Sequence, residues 1–297
     1  MNRKFKEALV GYLFILPMFS ILVVFLIFPL AFTLYISFYQ WDMLGWNMNF
    51  IGVENYRYIL FDDALFRTAI INTLVYAFYI VATLAIFSLI LALLVNSVRF
   101  PVLKSVSRTI FFIPVVVSSI VELLVWKNMI YNPAFGLLNA ILETFGLPPH
   151  MWLMSHNESL LSVATIVVWK WVGFNMVILL AALQDIPAAL YEAATIDGAN
   201  WWWRFRGVTF PGIRRALTFI MITSTISSFL SFESVFLTTG GGPGYSSLTL
   251  GLYIYYTGWT YLRMGRACAM SWITFLIMIG FSIVQFRTLG VIKVEER

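Results

Sequence analysis

Two residues of opposite charge, Glu122 and Lys170, stand inside long apolar stretches of the chain. A charge at the centre of a membrane helix costs about 3 kcal/mol on insertion scales, so such residues are candidates for function. Glu122 shares a helical face with Ser118 and Ser119, and an ion pair between the two stretches would satisfy both charges. The pair predicts a polar group on a pathway through a membrane, or a tie that only holds helices together, or a Lys170 that reaches toward the membrane surface.

A second polar feature is a row of serines in an otherwise apolar stretch. Ser224, Ser227, Ser228 and Ser231 fall on one arc of a helix with 100° per residue. This pattern predicts a face turned toward protein or water, although small hydroxyl residues also join transmembrane helices to each other. Glu233 falls on the opposite arc of a regular helix, so we do not place it on the same polar surface.

A polar segment between two apolar stretches carries strong helix signals. Pro187 can open a helix because its missing N–H is not needed in the first turn, and Asp185 is placed to cap that turn. Asp197 and Gly198 then end the helix, since glycine tolerates the left-handed conformation. The sequence therefore predicts a helix over residues 188–195 within a helix-turn-helix elbow over residues 185–211.

Composition and span length indicate a polytopic membrane protein. Of 297 residues, 61% are hydrophobic and 11% are charged, far from the roughly 25% charged residues of soluble domains. A span needs roughly 20 apolar residues. On that length we predict an all-α, single-domain membrane protein with six transmembrane helices at about residues 9–37, 70–95, 110–126, 160–183, 216–236 and 267–286.

Lysine and arginine residues divide unequally between the two sides of these six spans. Thirteen lie on the side of the termini and the elbow, and five on the opposite side. Because cytoplasmic loops are rich in lysine and arginine, both termini and the elbow are predicted to be cytoplasmic. The single Cys268 and the two histidines lack metal-ligand spacing, so we predict no metal site. An enzyme is not indicated either, because motifs of intramembrane or hydrolytic catalysis are missing.

The elbow resembles the Glu-Ala-Ala loop of binding-protein-dependent importer permeases, the membrane subunits of ATP-binding-cassette uptake systems. The family pattern is Glu-Ala-Ala, three residues, Gly, nine residues, then Ile-x-Leu-Pro. Val208 and Phe210 stand here at the family's Ile and Leu positions, and both keep apolar character. The resemblance implies a type I importer permease fold and a loop that contacts a cytoplasmic ATPase. The residues of this chain that match or adjoin the pattern are Glu192, Ala193, Ala194, Asp197, Gly198 and Pro211.

Three other segments resemble the carbohydrate-uptake branch of this family, of maltose, glycerol-phosphate and lactose type. They are residues 50–56 (Phe-Ile-Gly-Val-Glu-Asn-Tyr), residues 169–175 (Trp-Lys-Trp-Val-Gly-Phe-Asn) and residues 239–256. The resemblance implies that the second segment lines a sugar pathway, where aromatic faces stack on sugar rings and polar side chains bond hydroxyls. Together with the charged pair and the serine row, this segment gives the predicted substrate-pathway residues: Lys170, Trp171, Gly173, Asn175, Glu122, Ser224, Ser228 and Ser231.

The resemblance also implies the partners. We expect a second homologous permease subunit, two ATPase subunits, an extracytoplasmic sugar-binding protein and a sugar substrate in a bacterial or archaeal cytoplasmic membrane. This chain has no nucleotide-binding motif, so ATP and Mg would bind the partner ATPase and no cofactor would bind here. The alternative is a secondary transporter or channel that works without an ATPase. Such proteins more often show inverted repeats, which we do not find in this sequence.

Overall fold

The computed structural model describes residues 3–45 and 48–288, with side chains from residue 10 onward. Helices dominate it, joined by short turns and one pair of two-residue strands. The elements are α1 (Arg3–Leu22), α2 (Phe28–Ile36), β1 (Tyr39–Gln40), β2 (Asn49–Phe50), α3 (Glu54–Arg57), α4 (Ala64–Ser97), α5 (Pro101–Val116), α6 (Ser119–Val125), α7 (Leu137–Thr144), α8 (Ser159–Gln184), α9 (Ala188–Ile196), α10 (Trp201–Arg204), α11 (Phe210–Phe229), α12 (Glu233–Thr238), α13 (Leu250–Tyr255) and α14 (Met264–Thr288). Wider π-helical turns extend or join several of them, at Val23–Ile27, Tyr58–Asp62, Trp126–Ile130, Phe205–Thr209 and Tyr256–Thr260.

Four stretches within residues 3–45 and 48–288 are helical, long and apolar enough to cross a membrane. They are Val10–Ile36, Ala64–Ser97, Ser159–Gln184 and Met264–Thr288. They coincide with the predicted first, second, fourth and sixth spans. A fifth is obtained if α5 and the helix that follows it are counted as one bent span. The count of six spans stays a prediction, and the termini lie outside the described residues.

The region of the predicted third span, residues 110–126, is not one straight helix. Pro101–Val116 and Ser119–Ile130 meet at 95°, and Val117 and Ser118 between them are extended. Pro114 lies just before the break. Because proline lacks an N–H, it removes one helical hydrogen bond from the last turns of α5.

The region of the predicted fifth span, residues 216–236, is also interrupted. Helix α11 ends at Phe229, and a new helix begins at Glu233. Helix α11 contains serine and threonine hydroxyls that donate to carbonyls four residues earlier, including Ser228 to Ser224 at 2.7 Å. Such bonds compete with the helix ladder and bend helices.

By internal contacts the chain divides into two compact units. Among the described residues the larger comprises 64–253 and 274–288, and its core lies where α4, α8 and α11 meet. The buried residues of that core are Ala92, Val95, Met176, Leu179, Leu180, Leu183, Ile213, Leu217 and Ile220. They recur at three- and four-residue spacing on each helix, so each helix buries one stripe. The Ser88 hydroxyl adds a hydrogen bond of 3.1 Å from α4 to the Val172 carbonyl of α8.

Among the described residues the smaller unit comprises 3–45, 48–63 and 254–273. Buried Asn55 organises it, because its amide donates to the carbonyls of Ser37 at 2.9 Å and Tyr39 at 3.0 Å. Gly52 has a φ of +59°, which suits the turn before α3. The glycine, asparagine and tyrosine of the segment at residues 50–56 thus build a local turn, and the Tyr56 hydroxyl bonds Ser37 at 2.7 Å.

Candidate transport cavity and coupling elbow

A cavity of about 550 Å³ lies within the larger unit, between α4, α6, α8, α11 and the break before α12. Its walls combine aromatic and aliphatic surface with hydroxyl, amide and charged groups. The lining residues are Tyr76, Ile80, Leu84, Ser119, Glu122, Leu123, Val167, Lys170, Trp171, Phe174, Asn175, Phe219, Thr223, Ser224, Ser227, Ser228, Leu230, Ser231, Phe232, Glu233 and Ser234. This mixture of apolar walls and a few polar groups is typical of sites for small polar molecules.

The two charges singled out in the sequence form an ion pair at the cavity wall. Lys170 Nζ lies 2.6 Å from Glu122 Oε2 and 2.8 Å from the Ser119 hydroxyl. A third bond, of 3.4 Å, goes to the carbonyl of Val117, which the break after α5 leaves outside the helix ladder. Both charged side chains are buried. The ammonium therefore has an acceptor for each of its three protons, as a buried charge requires.

Ser231, beside the break after α11, joins two parts of the larger unit. The hydroxyls of Tyr76, Ser231 and Ser234 form a triangle with edges of 3.1, 3.1 and 2.8 Å. Tyr76 is fully buried on α4, so the triangle ties that helix to the break. Ser228 donates to its own helix. These two predicted pathway serines therefore line the cavity with hydroxyls that already have protein partners.

Other polar groups on the cavity wall keep unused hydrogen-bonding capacity: Ser227 is exposed, and Asn175 and Ser224 are largely buried. Within the part of the chain that the structure describes, the amide of Asn175 and the hydroxyls of Ser224 and Ser227 make no hydrogen bond. Trp171 and Phe174 lie beside them, with ring centroids 5.7 Å apart in an edge-to-face arrangement. An amide and hydroxyls next to an aromatic face can bind a molecule that carries hydroxyl groups on one side and C–H surface on the other.

Glu233 also lines the cavity, contrary to the expectation from a regular fifth helix. The break between Phe229 and Glu233 changes the direction in which the following side chains point. It places the Glu233 carboxylate on the same cavity wall as the serine row. The density of serines just before Phe232 was the signal that the helix would not stay regular. Tyr76 and Ser234 were missed as well, because nothing in their local pattern distinguishes them from packing residues.

Gly173 was predicted on the substrate pathway, but it is not a lining residue of the cavity. It faces α5, where an added Cβ would overlap the carbonyl of Phe111. The residue allows close approach of two helices, which is the usual role of small residues between membrane helices. Of the eight predicted pathway residues, the other seven line the cavity.

The elbow begins with helix α9, which follows the prediction to within one residue. Pro187 precedes the helix in an extended conformation, and Gly198 follows it with a φ of +74°. The Ala199 N–H donates to the Ala194 carbonyl at 2.9 Å and the Gly198 N–H to the Thr195 carbonyl at 3.1 Å. These two bonds form a Schellman motif, so glycine ends the helix as expected. Asp185 does not cap α9; it ends α8 instead.

The elbow presents most of its predicted coupling residues to the surface. Glu192, Ala193, Asp197, Gly198 and Pro211 are exposed, and Ala194 is half-buried. The hydroxyl of Tyr191 contacts that of Thr209 at 3.0 Å. That contact connects α9 to the turn that leads into α11, a helix that lines the cavity.

The sequence is similar to those of known transport proteins. The family model described as "Binding-protein-dependent transport system inner membrane component" matches residues 85–292. The chain is 34% identical over 286 residues to the trehalose/maltose transport system permease protein MalF of Thermococcus litoralis, covering 96% of this chain and 95% of that protein. It is 31% identical over 286 residues to the sn-glycerol-3-phosphate transport system permease protein UgpA of Agrobacterium fabrum, covering 95% of each.

A solved structure gives the same fold. The chain matches one in the crystal structure of a bacterial alginate ABC transporter in complex with an alginate pentasaccharide-bound periplasmic protein, with a TM-score of 0.82, 22% identity and 98% of both chains covered. At this identity the similarity establishes the fold alone, and that fold is the type I importer permease fold expected from the sequence. With the family match over most of its length, the chain belongs to the inner-membrane components of binding-protein-dependent transport systems.

Proposed function

We propose that this chain is the permease subunit of an ATP-driven sugar importer and that its cavity forms half of the translocation pathway. The observation that carries this is the cavity itself, where the amide of Asn175 and the hydroxyls of Ser224 and Ser227, none of them hydrogen-bonded within the described residues, adjoin Trp171 and Phe174. Amide and hydroxyl groups would bond sugar hydroxyls, and the rings would stack on the C–H faces of the sugar. The names of the trehalose/maltose relative and of the alginate transporter support a carbohydrate substrate.

The elbow is proposed to couple this cavity to a cytoplasmic ATPase. Glu192, Ala193 and Ala194 would enter a cleft of the ATPase, and Asp197 and Gly198 would shape the turn that leaves it. ATP and Mg would bind that subunit, since this chain has no nucleotide motif of its own. The distribution of lysine and arginine supports cytoplasmic termini and a cytoplasmic elbow.

The remaining partners are proposed by analogy with the family. A second homologous permease would complete the pathway, two ATPase subunits would power it, and an extracytoplasmic binding protein would deliver the sugar. Closure of the ATPase pair would move the elbow and bias the cavity from inward-open to outward-open. Such coupling requires only that ATP and sugar bind the two conformations with different affinity. The alternative, a transporter independent of an ATPase, is not favoured, because the family consists of components of larger transport systems.

The test is reconstitution. The chain would be purified with a carboxy-terminal tag from native membranes, its partners identified by mass spectrometry, and the complex placed in liposomes with its binding protein. We expect ATP-dependent uptake of radiolabelled oligosaccharides from a panel that includes maltose and trehalose. Uptake by this chain alone, without ATPase or ATP, would overturn the proposal and support a secondary transporter.

A further inference from the structure

Three charged residues line the cavity among the residues that the structure describes: Lys170, Glu122 and Glu233. One cation therefore faces two carboxylates. The similar proteins do not define the charge of the substrate, because their names cover trehalose and maltose, glycerol phosphate and the acidic polysaccharide alginate. The charge preference has to come from the geometry of this chain's own residues.

The single cation is not available to a ligand. Lys170 Nζ is surrounded by Glu122 Oε2 at 2.6 Å, the Ser119 hydroxyl at 2.8 Å and the Val117 carbonyl at 3.4 Å. Only 11% of its side chain is exposed. To bind an anion, Lys170 would have to give up Glu122 and leave a buried carboxylate unpaired, which is strongly unfavourable.

Glu233 is in the opposite situation. It is exposed at the mouth of the break before α12, and within residues 10–45 and 48–288 its carboxylate forms no ion pair. The positive charge of Lys170 is already balanced by Glu122, so Glu233 sets the net charge of the residues that line the cavity. A cavity with apolar walls strengthens the field of that charge, because it lowers the local dielectric constant.

On this basis, and resting on the proposed function, we propose that this half of the pathway accepts neutral carbohydrates and excludes anionic ones such as uronates and sugar phosphates. Glu233 repels the anion, and the closed Lys170–Glu122 pair offers no compensating cation. Neutral sugars are not repelled by Glu233, and Asn175, Ser224 and Ser227 can form hydrogen bonds with their hydroxyl groups.

The field can be measured directly because the chain contains one cysteine, Cys268. In the complete transporter with Cys268→Ser, a Ser227→Cys substitution places one thiol on the cavity wall. Its reaction rates with cationic and anionic methanethiosulfonates of similar size would be measured and divided by their rates with free 2-mercaptoethanol. Glu233→Gln removes the proposed repulsion, and Glu143→Gln on exposed α7 makes the same charge change away from the cavity lining.

We expect the normalised rate of the cationic reagent to exceed that of the anionic one by about a hundredfold, because one charge roughly 10 Å away at an effective dielectric constant near 20 changes the rate of each reagent by about tenfold, in opposite directions. Glu233→Gln should remove most of this preference, and Glu143→Gln should not. Equal rates, faster anionic reaction, or a preference that survives Glu233→Gln would overturn the proposal.

A second measurement separates this proposal from the proposed function. Protection of the introduced thiol would be compared for maltotriose and trigalacturonate at equal concentration. Protection by maltotriose alone supports neutral selectivity, and equal or stronger protection by trigalacturonate overturns it. Protection by neither sugar, together with absent uptake of every carbohydrate, would overturn the carbohydrate function itself, whereas the reagent rates would still report the charge of the cavity.

Discussion

The backbone of Gly173 lies so close to Phe111 that a Cβ at position 173 would overlap the Phe111 carbonyl. This contact sets the approach of α8 to α5, and α8 carries Lys170, Trp171 and Asn175 on the turns around it. Gly173 thus acts on the cavity through the position of its helix, although it does not line the cavity.

Gly173→Ala should destabilise the protein by about 1–3 kcal/mol, because the two helices must separate to admit one methyl group. Thermal unfolding of the purified complex in detergent measures this. Gly280→Ala on α14 is the matched control, since a Cβ there has no neighbour within 4 Å. Equal melting temperatures for the two variants would refute the close contact.

Replacing one member of the Lys170–Glu122 pair should lower the free energy of unfolding more than replacing both. Lys170→Met or Glu122→Gln alone leaves a buried group without its partner and should cost about 3–5 kcal/mol, whereas the double variant should lose much less than the sum. A double-mutant cycle on thermal or denaturant unfolding provides the measurement. Additive losses would show that the two residues do not interact.

Trp171 and Trp169 are neighbours on α8, but only Trp171 lines the cavity. Trp169 instead contacts Trp126, with ring centroids 5.5 Å apart. Trp171→Leu should raise the KM for sugar uptake about tenfold, the loss of one aromatic contact worth about 1.4 kcal/mol. Trp169→Leu should leave the KM unchanged, whatever its effect on stability. The same KM shift in both variants would argue against a sugar contact by Trp171.

Gly198 needs the left-handed conformation, and no atom lies within 4 Å of a Cβ built on it. Its substitution therefore acts through the backbone alone. Gly198→Val should strain the end of α9 by about 1–2 kcal/mol and reduce ATP-driven uptake, while Gly198→Asn should retain most of it, because asparagine tolerates a positive φ. Uptake and ATPase activity in proteoliposomes are the readouts. Normal coupling in the valine variant would count against the role of the elbow.

Asn55 donates both of its described side-chain hydrogen bonds to carbonyl oxygens. Asn55→Asp replaces that donor with an acceptor, so two carbonyls lose their bonds and face a carboxylate. We expect a loss of about 1–3 kcal/mol in stability. Asn128→Asp makes the same change at an exposed position and should be neutral. An unchanged melting temperature for Asn55→Asp would contradict the assigned bonds.

Sequence alone determined the features that depend on local chemistry. Composition established the membrane class, and Pro187 and Gly198 bounded α9 to within one residue because helix ends are encoded by the residues that stand there. The pairing of Glu122 with Lys170 was also foreseeable, since two isolated charges in apolar helices have few ways to be satisfied.

Only the tertiary structure showed which side chains face the cavity, because that depends on where each helix is interrupted. A sequence pattern assigns faces on the assumption of a continuous helix, and the breaks after Val116 and Phe229 interrupt that continuity. The second break moves Glu233 to the cavity, against the sequence prediction. The place of Gly173 between two helices was likewise not readable from the sequence: spacing along one helix shows which residues share a face, but only packing shows whether that face meets a cavity or another helix.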